Sequence, residues 1–280
     1  MYHLGRYFLM LKTLFSVPSK WTILWRRVIS ELEIIGISSL FIVGLMSLFM
    51  GGVIALNTAY QLTTPLLPDY TVGYITQQST FLEFSPTVMS LILAGKVGSN
   101  IASEIGTMRV TEQIDALEIM GVNSLDYLVL PKIIAAMLFF PILIICSMAL
   151  SLIGGWLALQ VSGLINTEVY VMGIRSFFDP FHITYALIKS VCFAFLIVSV
   201  SSYYGYYVRG GSLDVGKAST QAIVTSSVVI LMSNFILTKL VLFRFQETRP
   251  RRSFHHQQGE SEWSCRTRRT CPRGRTDRGS

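Results

Sequence analysis

The sequence predicts an all-α integral membrane protein, and three observations carry that expectation. Hydrophobic residues make up 51% of the chain and charged ones only 14%, well below the ~25% charged fraction of ordinary soluble domains; the mean hydropathy is +0.53. Four stretches, Ile34 to Leu56, Ile133 to Gln160, Ser190 to Val208 and Ala218 to Thr238, carry no charge, and each has the ~20 residues a helix needs to cross the hydrocarbon core. The formal charge of +7 is also unevenly spread: residues 1 to 243 hold 13 Lys and Arg against 12 Asp and Glu, and residues 244 to 280 hold ten against four. The basic balance therefore belongs to the tail and gives no support to nucleic-acid binding by the apolar core.

Taken in order, residues 1 to 30 have five basic residues and no acidic one, and Leu4, Phe8, Leu11 and Phe15 fall on one helical face. That pattern predicts an amphipathic helix lying in the membrane interface. Lys12 interrupts its apolar run and no small-residue cleavage site follows, so it does not read as a secretory signal. Residues 31 to 243 form the membrane domain. The first span is Ile34 to Leu56. A second begins in the apolar stretch Phe84 to Gly95, but Lys96 and Glu104 fall inside any helix of spanning length. Ionisable groups at that depth usually face a bundle interior or a watery cavity; the simpler reading is that the helix emerges from the membrane near Lys96.

Residues 94 to 121, AGKVGSNIASEIGTMRVTEQIDALEIMG, are the most patterned part of the chain. Ala94, Gly98, Ala102 and Gly106 fall four apart, as do Gly95, Ser99, Ser103 and Thr107, and Lys96, Asn100 and Glu104 make a polar stripe beside them. Such bare ridges suit close packing with another helix. From Thr107 to Gly121 the pattern changes to a short amphipathic helix with Val110, Ile114 and Leu117 on one face, Gly121 placed to end it, and Asn123 and Asp126 resembling a capping pair for the next segment. Spans three to five follow. Ser201, Ser202, Tyr203, Tyr204, Tyr206 and Tyr207 close the fourth with an aromatic belt.

Basic residues gather before span one (Arg6, Lys12, Lys20, Arg26, Arg27), between spans two and three (Arg109, Lys132, with Lys96 near the boundary) and between spans four and five (Arg209, Lys217). The opposite loops offer only Arg175 and Lys189. The positive-inside rule thus predicts five spans with a cytoplasmic N-terminus. The tail from 244 to 280 has ten arginines and no lysine, whereas the core has seven Lys and six Arg. Its composition predicts disorder and suggests a frameshifted or vector-derived extension, testable with a recloned gene carrying a stop near 244.

Chemistry-bearing motifs are few. Gly211 to Ala218, GSLDVGKA, matches a phosphate loop until Ala218 stands where Ser or Thr would ligate magnesium, and it joins two spans rather than a strand and a helix. His3 and His182 are isolated, and no Ser, His and acid group assemble without arbitrary choice. Cys146 and Cys192 read as small buried hydrophobes, and Cys265 and Cys271 lack partners at zinc-site spacing. No metal site or catalytic centre is expected.

The block AGKVGSNIASEIGTMRVTEQIDALEIMG, followed by Leu125 to Pro131, and the later block YYGYYVRGGSLDVGKASTQAIVTSSVVILMSNFILT resemble the two characteristic segments of MlaE-type permeases, the membrane subunits of lipid-transporting ABC systems. The resemblance runs from about residue 5 to 243. It implies a homodimer in the bacterial inner membrane, each subunit having an interfacial helix and five spans. It further implies cytoplasmic ABC ATPase subunits that carry ATP and magnesium, a periplasmic MCE-domain protein and often a STAS-domain subunit. The same likeness makes Thr107, Met108, Arg109, Thr111, Glu112, Gln113, Asp115 and Leu117 the coupling-helix contact to the ATPase. It has Lys96, Asn100 and Glu104 line or gate a lipid cavity, and Arg209, Asp214 and Lys217 organise the cytoplasmic face. The cavity must stay apolar, since exposing acyl chains to water costs ~0.8 kcal/mol per CH₂; Leu45 and Phe49 on span one and Leu231 and Phe235 on span five supply such a wall. The expected function is ATP-driven movement of phospholipids or related lipids between inner membrane and periplasm, maintaining outer-membrane asymmetry, with hydrolysis on a separate subunit. An ion-coupled transporter using Lys96 and Glu104, and a non-transporting scaffold, are the alternatives.

Overall fold

The computed structural model describes residues 2–14, 21–62, 68–176, 178 and 180–248, and every regular element among them is helical. The helices are α1 (Tyr2–Leu14), α2 (Trp21–Gln61), α3 (Tyr70–Ser79), α4 (Met89–Leu93), α5 (Ser99–Val110), α6 (Gln113–Ile119), α7 (Ser124–Ser162), α8 (Thr167–Ser176), α9 (Pro180–Tyr206) and α10 (Ser212–Thr248). Two π-helical stretches, Thr80–Val88 and Ala94–Gly98, join α3, α4 and α5 into one helical run. The chain divides into two compact units, Met1–Phe235 and Ile236–Ser280; the described part of the second is the end of α10. The division at 243 expected from composition falls inside α10, and residues 249–280 of the tail lie outside the described residues.

Among the described residues, four helices are long and apolar enough to cross a membrane, over Leu24–Gln61, Ser124–Ser162, Pro180–Tyr206 and Ser212–Leu240. Three of them contain a charge-free stretch of the sequence whole and extend it at both ends, while Pro180–Tyr206 extends the stretch from Ser190 at its start and stops two residues short of Val208; helix propagation continues past the last apolar residue until a glycine or proline intervenes. Gly163, at φ +66°, ends α7 in this way. The remaining expected span is the run from α3 to α5, whose wide turns have a chemical cause at Pro86. Proline has no N–H to donate to the carbonyl of Leu82, four residues back.

Glycine sets how closely the helices approach. A methyl group at Gly51 on α2 would overlap the backbone of Ser151 on α7, and one at Gly154 would overlap the backbone of Leu48. The same reciprocity joins α3 to α8, where methyls at Gly73 and Gly173 would strike the carbonyls of Tyr170 and Tyr70. The predicted small-residue ridge behaves as expected: Ala94, Gly98, Ala102 and Gly106 are buried. Gly98 faces Ser201, the Ala102 backbone faces Gly205 on α9, and Gly106 faces Val215 on α10. The parallel row of Gly95, Ser99, Ser103 and Thr107 stays partly open, with nothing within 4 Å of a methyl at Gly95.

Three features depart from the sequence reading. Residues 21 to 30, taken with the interfacial segment, already belong to α2. In α1 the face turned inward is Met10 and Leu14, each 2% exposed, whereas Phe8 is 62% exposed; the side chains of Leu4 and Phe15 lie outside the described residues. The helix α8 was not expected. Its Tyr170 packs with Ala55, Val72 and Leu159, and burial pushes that phenol up to about 12.

Candidate functional site

Lys132 and Lys189, counted in the sequence as loop charges, are instead buried inside helices. Lys132 on α7 is 2% exposed and its Nζ donates to Glu31 Oε1 on α2 at 2.7 Å and to Glu104 Oε1 and Oε2 on α5 at 2.9 and 2.8 Å. One ammonium therefore ties three helices with its three N–H groups. Glu104, expected with Lys96 and Asn100 to line or gate a cavity, is held by Lys132. Lys96 instead shares a cavity of ≈ 450 Å³ with Asn100 and Ser103, walled by Ile34 and Ser38 of α2.

Lys189 on α9 is fully buried; its Nζ donates to Glu83 Oε1 at 3.0 Å and to the Leu82 carbonyl at 3.1 Å, and lies 4.4 Å from the Tyr185 ring centroid. The Leu82 carbonyl is the one Pro86 cannot serve, so the wide turn and the lysine are parts of one arrangement. The second oxygen of Glu83 accepts from Asn234 Nδ2 on α10 at 3.1 Å and from Thr87 Oγ1 at 3.2 Å. The Glu83 side chain remains 46% exposed. The pair thus has a buried cation and a carboxylate that reaches the surface of the subunit. Sequence reasoning passed over it because Glu83 stood at the edge of an apolar stretch; a lone Lys189 directly before a charge-free run was the available signal.

The predicted coupling region is divided by a hinge. Thr107, Met108 and Arg109 belong to α5, Thr111 and Glu112 form the break, and Gln113, Asp115 and Leu117 lie on α6. Glu112 has φ +59°, the single positive-φ residue other than glycine among those described, a conformation that costs an L-residue about 1–2 kcal/mol. Beyond α6, Gly121 at φ +75° and the bonds from Gly121 N to Glu118 O and Val122 N to Leu117 O close the helix as the sequence suggested. Asn123 occupies the N-cap of α7, where its own side chain makes no cap bond, so the Asn123 half of the expected capping pair is not formed.

Several contacts hold α6 against the bundle. Arg109 bonds Asp115 at 2.6 Å, Glu118 Oε1 accepts from Tyr206 at 2.9 Å and from Ser124 at 3.0 Å, and Ile114 is fully buried. The outer surface is bare: Glu112, Gln113 and Ala116 are exposed, Ile119 is 87% exposed and Met120 is 68% exposed. The last two were not among the predicted contact residues.

The remaining expected residues fall into two groups. Leu45, Phe49, Leu231 and Phe235 are all exposed on the subunit, as residues facing lipid or a second subunit would be. Arg209, Asp214 and Lys217 come together around a cavity beside Arg6, with Asp214 bonding Lys217 at 3.1 Å. Gly211 to Ala218 is the connection into α10 and its first turns, a context unlike a strand-to-helix phosphate loop. Cys146 and Cys192 are free and only partly buried. Among the described residues no three His, Cys, Asp or Glu side chains gather as metal ligands.

Long apolar helices, buried ion pairs and a hinged surface helix define a multi-pass α-helical membrane protein. The chain matches the family model described as Permease MlaE over residues 28–240, and it belongs to that family. It is 40% identical over 158 residues to a probable ABC transporter permease protein of Rickettsia bellii, covering 56% of this chain and 61% of that one. It is 36% identical over 171 residues to a probable ABC transporter permease protein of a Synechocystis strain, covering 61% and 65%. A third relative, the chloroplastic protein TRIGALACTOSYLDIACYLGLYCEROL 1 of Arabidopsis thaliana, is 34% identical over 163 residues, 56% of this chain and 45% of that one. The chain thus spans about three fifths of the length of the first of these relatives.

Proposed function

We propose that this chain is the membrane permease subunit of an ATP-driven lipid transporter, acting as a homodimer in the bacterial inner membrane with its N-terminus cytoplasmic. The observation that carries the reading is α6: a short helix with a bare outer surface, joined by the strained residue Glu112 to the helix bearing Glu104. Force applied by a docked ATPase at Glu112, Gln113, Ile119 and Met120 passes into α5, and through Glu104 and Lys132 into α2 and α7. ATP and magnesium belong to that partner. The permease name of the family and the lipid in the name of the Arabidopsis relative favour a lipid substrate. A periplasmic MCE-domain protein, and in some systems a STAS-domain subunit, complete the assembly in this reading, and the physiological outcome is outer-membrane lipid asymmetry.

On this reading the acyl chains follow the apolar surface of α2 and α10, and Glu83 with Lys189 supplies polar contacts for a headgroup at the far end of the route. Reconstitution with the neighbouring gene products tests it: lipid transfer requires ATP and is abolished by Glu112→Lys together with ATPase stimulation. Normal coupling in that variant would overturn the docking assignment. The buried Lys189–Glu83 pair also favours a second reading, ion-coupled transport, for which flux would follow a proton or sodium gradient without an ATPase.

A further inference from the structure

A cavity of ≈ 420 Å³ lies at the end of the bundle that carries α6, between α1, the last turns of α9 and the start of α10. The translocation route described above does not use it. Three cations line it, Arg6, Arg209 and Lys217, against one carboxylate, Asp214. Arg209 is exposed and has no carboxylate partner among the described residues. The tyrosines Tyr204 and Tyr207 add hydroxyls to the same wall, and Arg6 stacks 4.0 Å over the Tyr207 ring, which fixes its guanidinium at the rim. The setting is a membrane interface. Tyr7 of α1 bonds Ser199 of α9 at 2.7 Å, and Phe8 and Leu9 of α1 and Leu213 of α10, on the helices that supply Arg6 and Asp214 to the lining, are 62%, 65% and 82% exposed, apolar side chains that water does not suit.

We propose that this cavity holds the headgroup of an anionic phospholipid of the leaflet on the α6 side, as a bound lipid distinct from the transported one. A net excess of two cations and the neighbouring tyrosine hydroxyls match a phosphodiester with a neutral polar head, and the exposed Phe8, Leu9 and Leu213 on the same helices suit its acyl chains. The site is placed to influence coupling. Its wall residues Val208 and Ala218 also form, with Val215, the apolar cluster that receives Val110, the last residue of α5 before the Glu112 hinge. Occupancy would brace the segment on which the hinge turns.

The proposal rests on the membrane reading but needs no ATPase, so its test is a binding measurement on the full chain. Native mass spectrometry from nanodiscs of phosphatidylcholine with a minor share of phosphatidylglycerol should find phosphatidylglycerol retained preferentially. Arg209→Gln and Lys217→Gln should each lower that preference about fivefold, and Asp214→Asn, which frees Lys217, should raise it. Arg26→Gln, removing an exposed cation outside the cavity, should leave it unchanged. Equal retention of the two lipids would overturn the proposal, as would the same loss in Arg26→Gln or a weaker preference in Asp214→Asn. Displacement of the retained lipid by inorganic phosphate alone would make this a soluble-anion site instead. Loss of ATP-driven transfer with the lipid preference intact would count against the transport reading and leave this one standing.

Discussion

At the scale of single residues, the two buried lysines among the described residues, Lys132 and Lys189, are held by different means. Lys132 is shared between two carboxylates from different helices, whereas Lys189 has one carboxylate, one carbonyl and one ring. Removing one partner of a buried ion pair leaves an uncompensated charge and typically costs about 3–5 kcal/mol, while removing both is often near neutral. Glu83→Gln, which leaves the buried Lys189 ammonium without its carboxylate, is therefore expected to lower the thermal unfolding midpoint in detergent. Adding Lys189→Met should restore most of the loss; a silent single variant would mean that the pair is not closed in the folded protein. Glu112 poses a separate question, since its conformation and its charge can be tested apart. Glu112→Val should destabilise by a further ~1 kcal/mol or so, because a β-branched residue tolerates φ near +60° badly, and Glu112→Gly should fold normally. If Glu112→Gly still loses ATPase stimulation, the carboxylate makes the contact; if stimulation survives, the hinge geometry alone suffices.

At the scale of elements, close approach is set by glycine pairs that interlock from both sides. A methyl at Gly154 has to displace the Leu48 backbone, which no rotamer change can accomplish, so Gly154→Ala should push α2 from α7 at a cost near the upper end of the ~1–3 kcal/mol usual for overpacking. Gly95→Ala, with open space around it, should be tolerated, and equal loss of folded yield in both would refute the packing argument. The spans were legible because absence of charge over more than twenty residues is a local property. The ridge of Ala94, Gly98, Ala102 and Gly106 was legible for the same reason, its spacing of four being visible in the chain. The coupling region was half legible: Gly121 announced the end of α6, but nothing in Thr111 or Glu112 signals a left-handed backbone at the hinge, which side chains of that kind seldom adopt. The helix α8 was missed because ten residues make only about three turns, too few to stand out from a loop even with an amphipathic pattern, and its place is fixed by Gly73 on a distant segment. Nor was either ion pair readable, since Lys132 meets Glu31 across 101 positions and Lys189 meets Glu83 across 106. Only folding brings them together.

At the scale of the whole molecule, contacts sort the helix ends into two groups. The start of α7, the end of α9 and the start of α10 gather around α6, through Ser124, Tyr206 and Val215. The end of α2, the start of α3, the end of α7 and α8 gather through Ala55, Val72, Leu159 and Tyr170. The buried ion pairs follow this division: Lys132 lies toward the first end, and Lys189 stands nine residues into α9 from the second, about 14 Å along the helix axis. On the proposed lipid-transport reading, a charged headgroup has to be handled at each membrane face with a greasy path between, and two separated polar stations with exposed apolar surface on α2 and α10 are consistent with it. The positive-inside argument for orientation is altered, because Lys132 and Lys189 are structural charges rather than loop charges. The remaining bias, Arg6, Lys12, Arg26, Arg27, Arg209 and Lys217 against Arg175 on α8, still favours the proposed cytoplasmic side for α6. Single cysteines at Ile119 and Met172, both well exposed, introduced into a chain whose native cysteines are replaced by serine, give a direct reading. In intact cells with a permeabilised outer membrane, an impermeant maleimide should label the Met172→Cys variant and spare Ile119→Cys, which should react only after the inner membrane is opened. Labelling of both from the same side would break the two-ended arrangement itself, whereas the reversed pattern would keep the arrangement and remove α6 from the reach of any cytoplasmic ATPase.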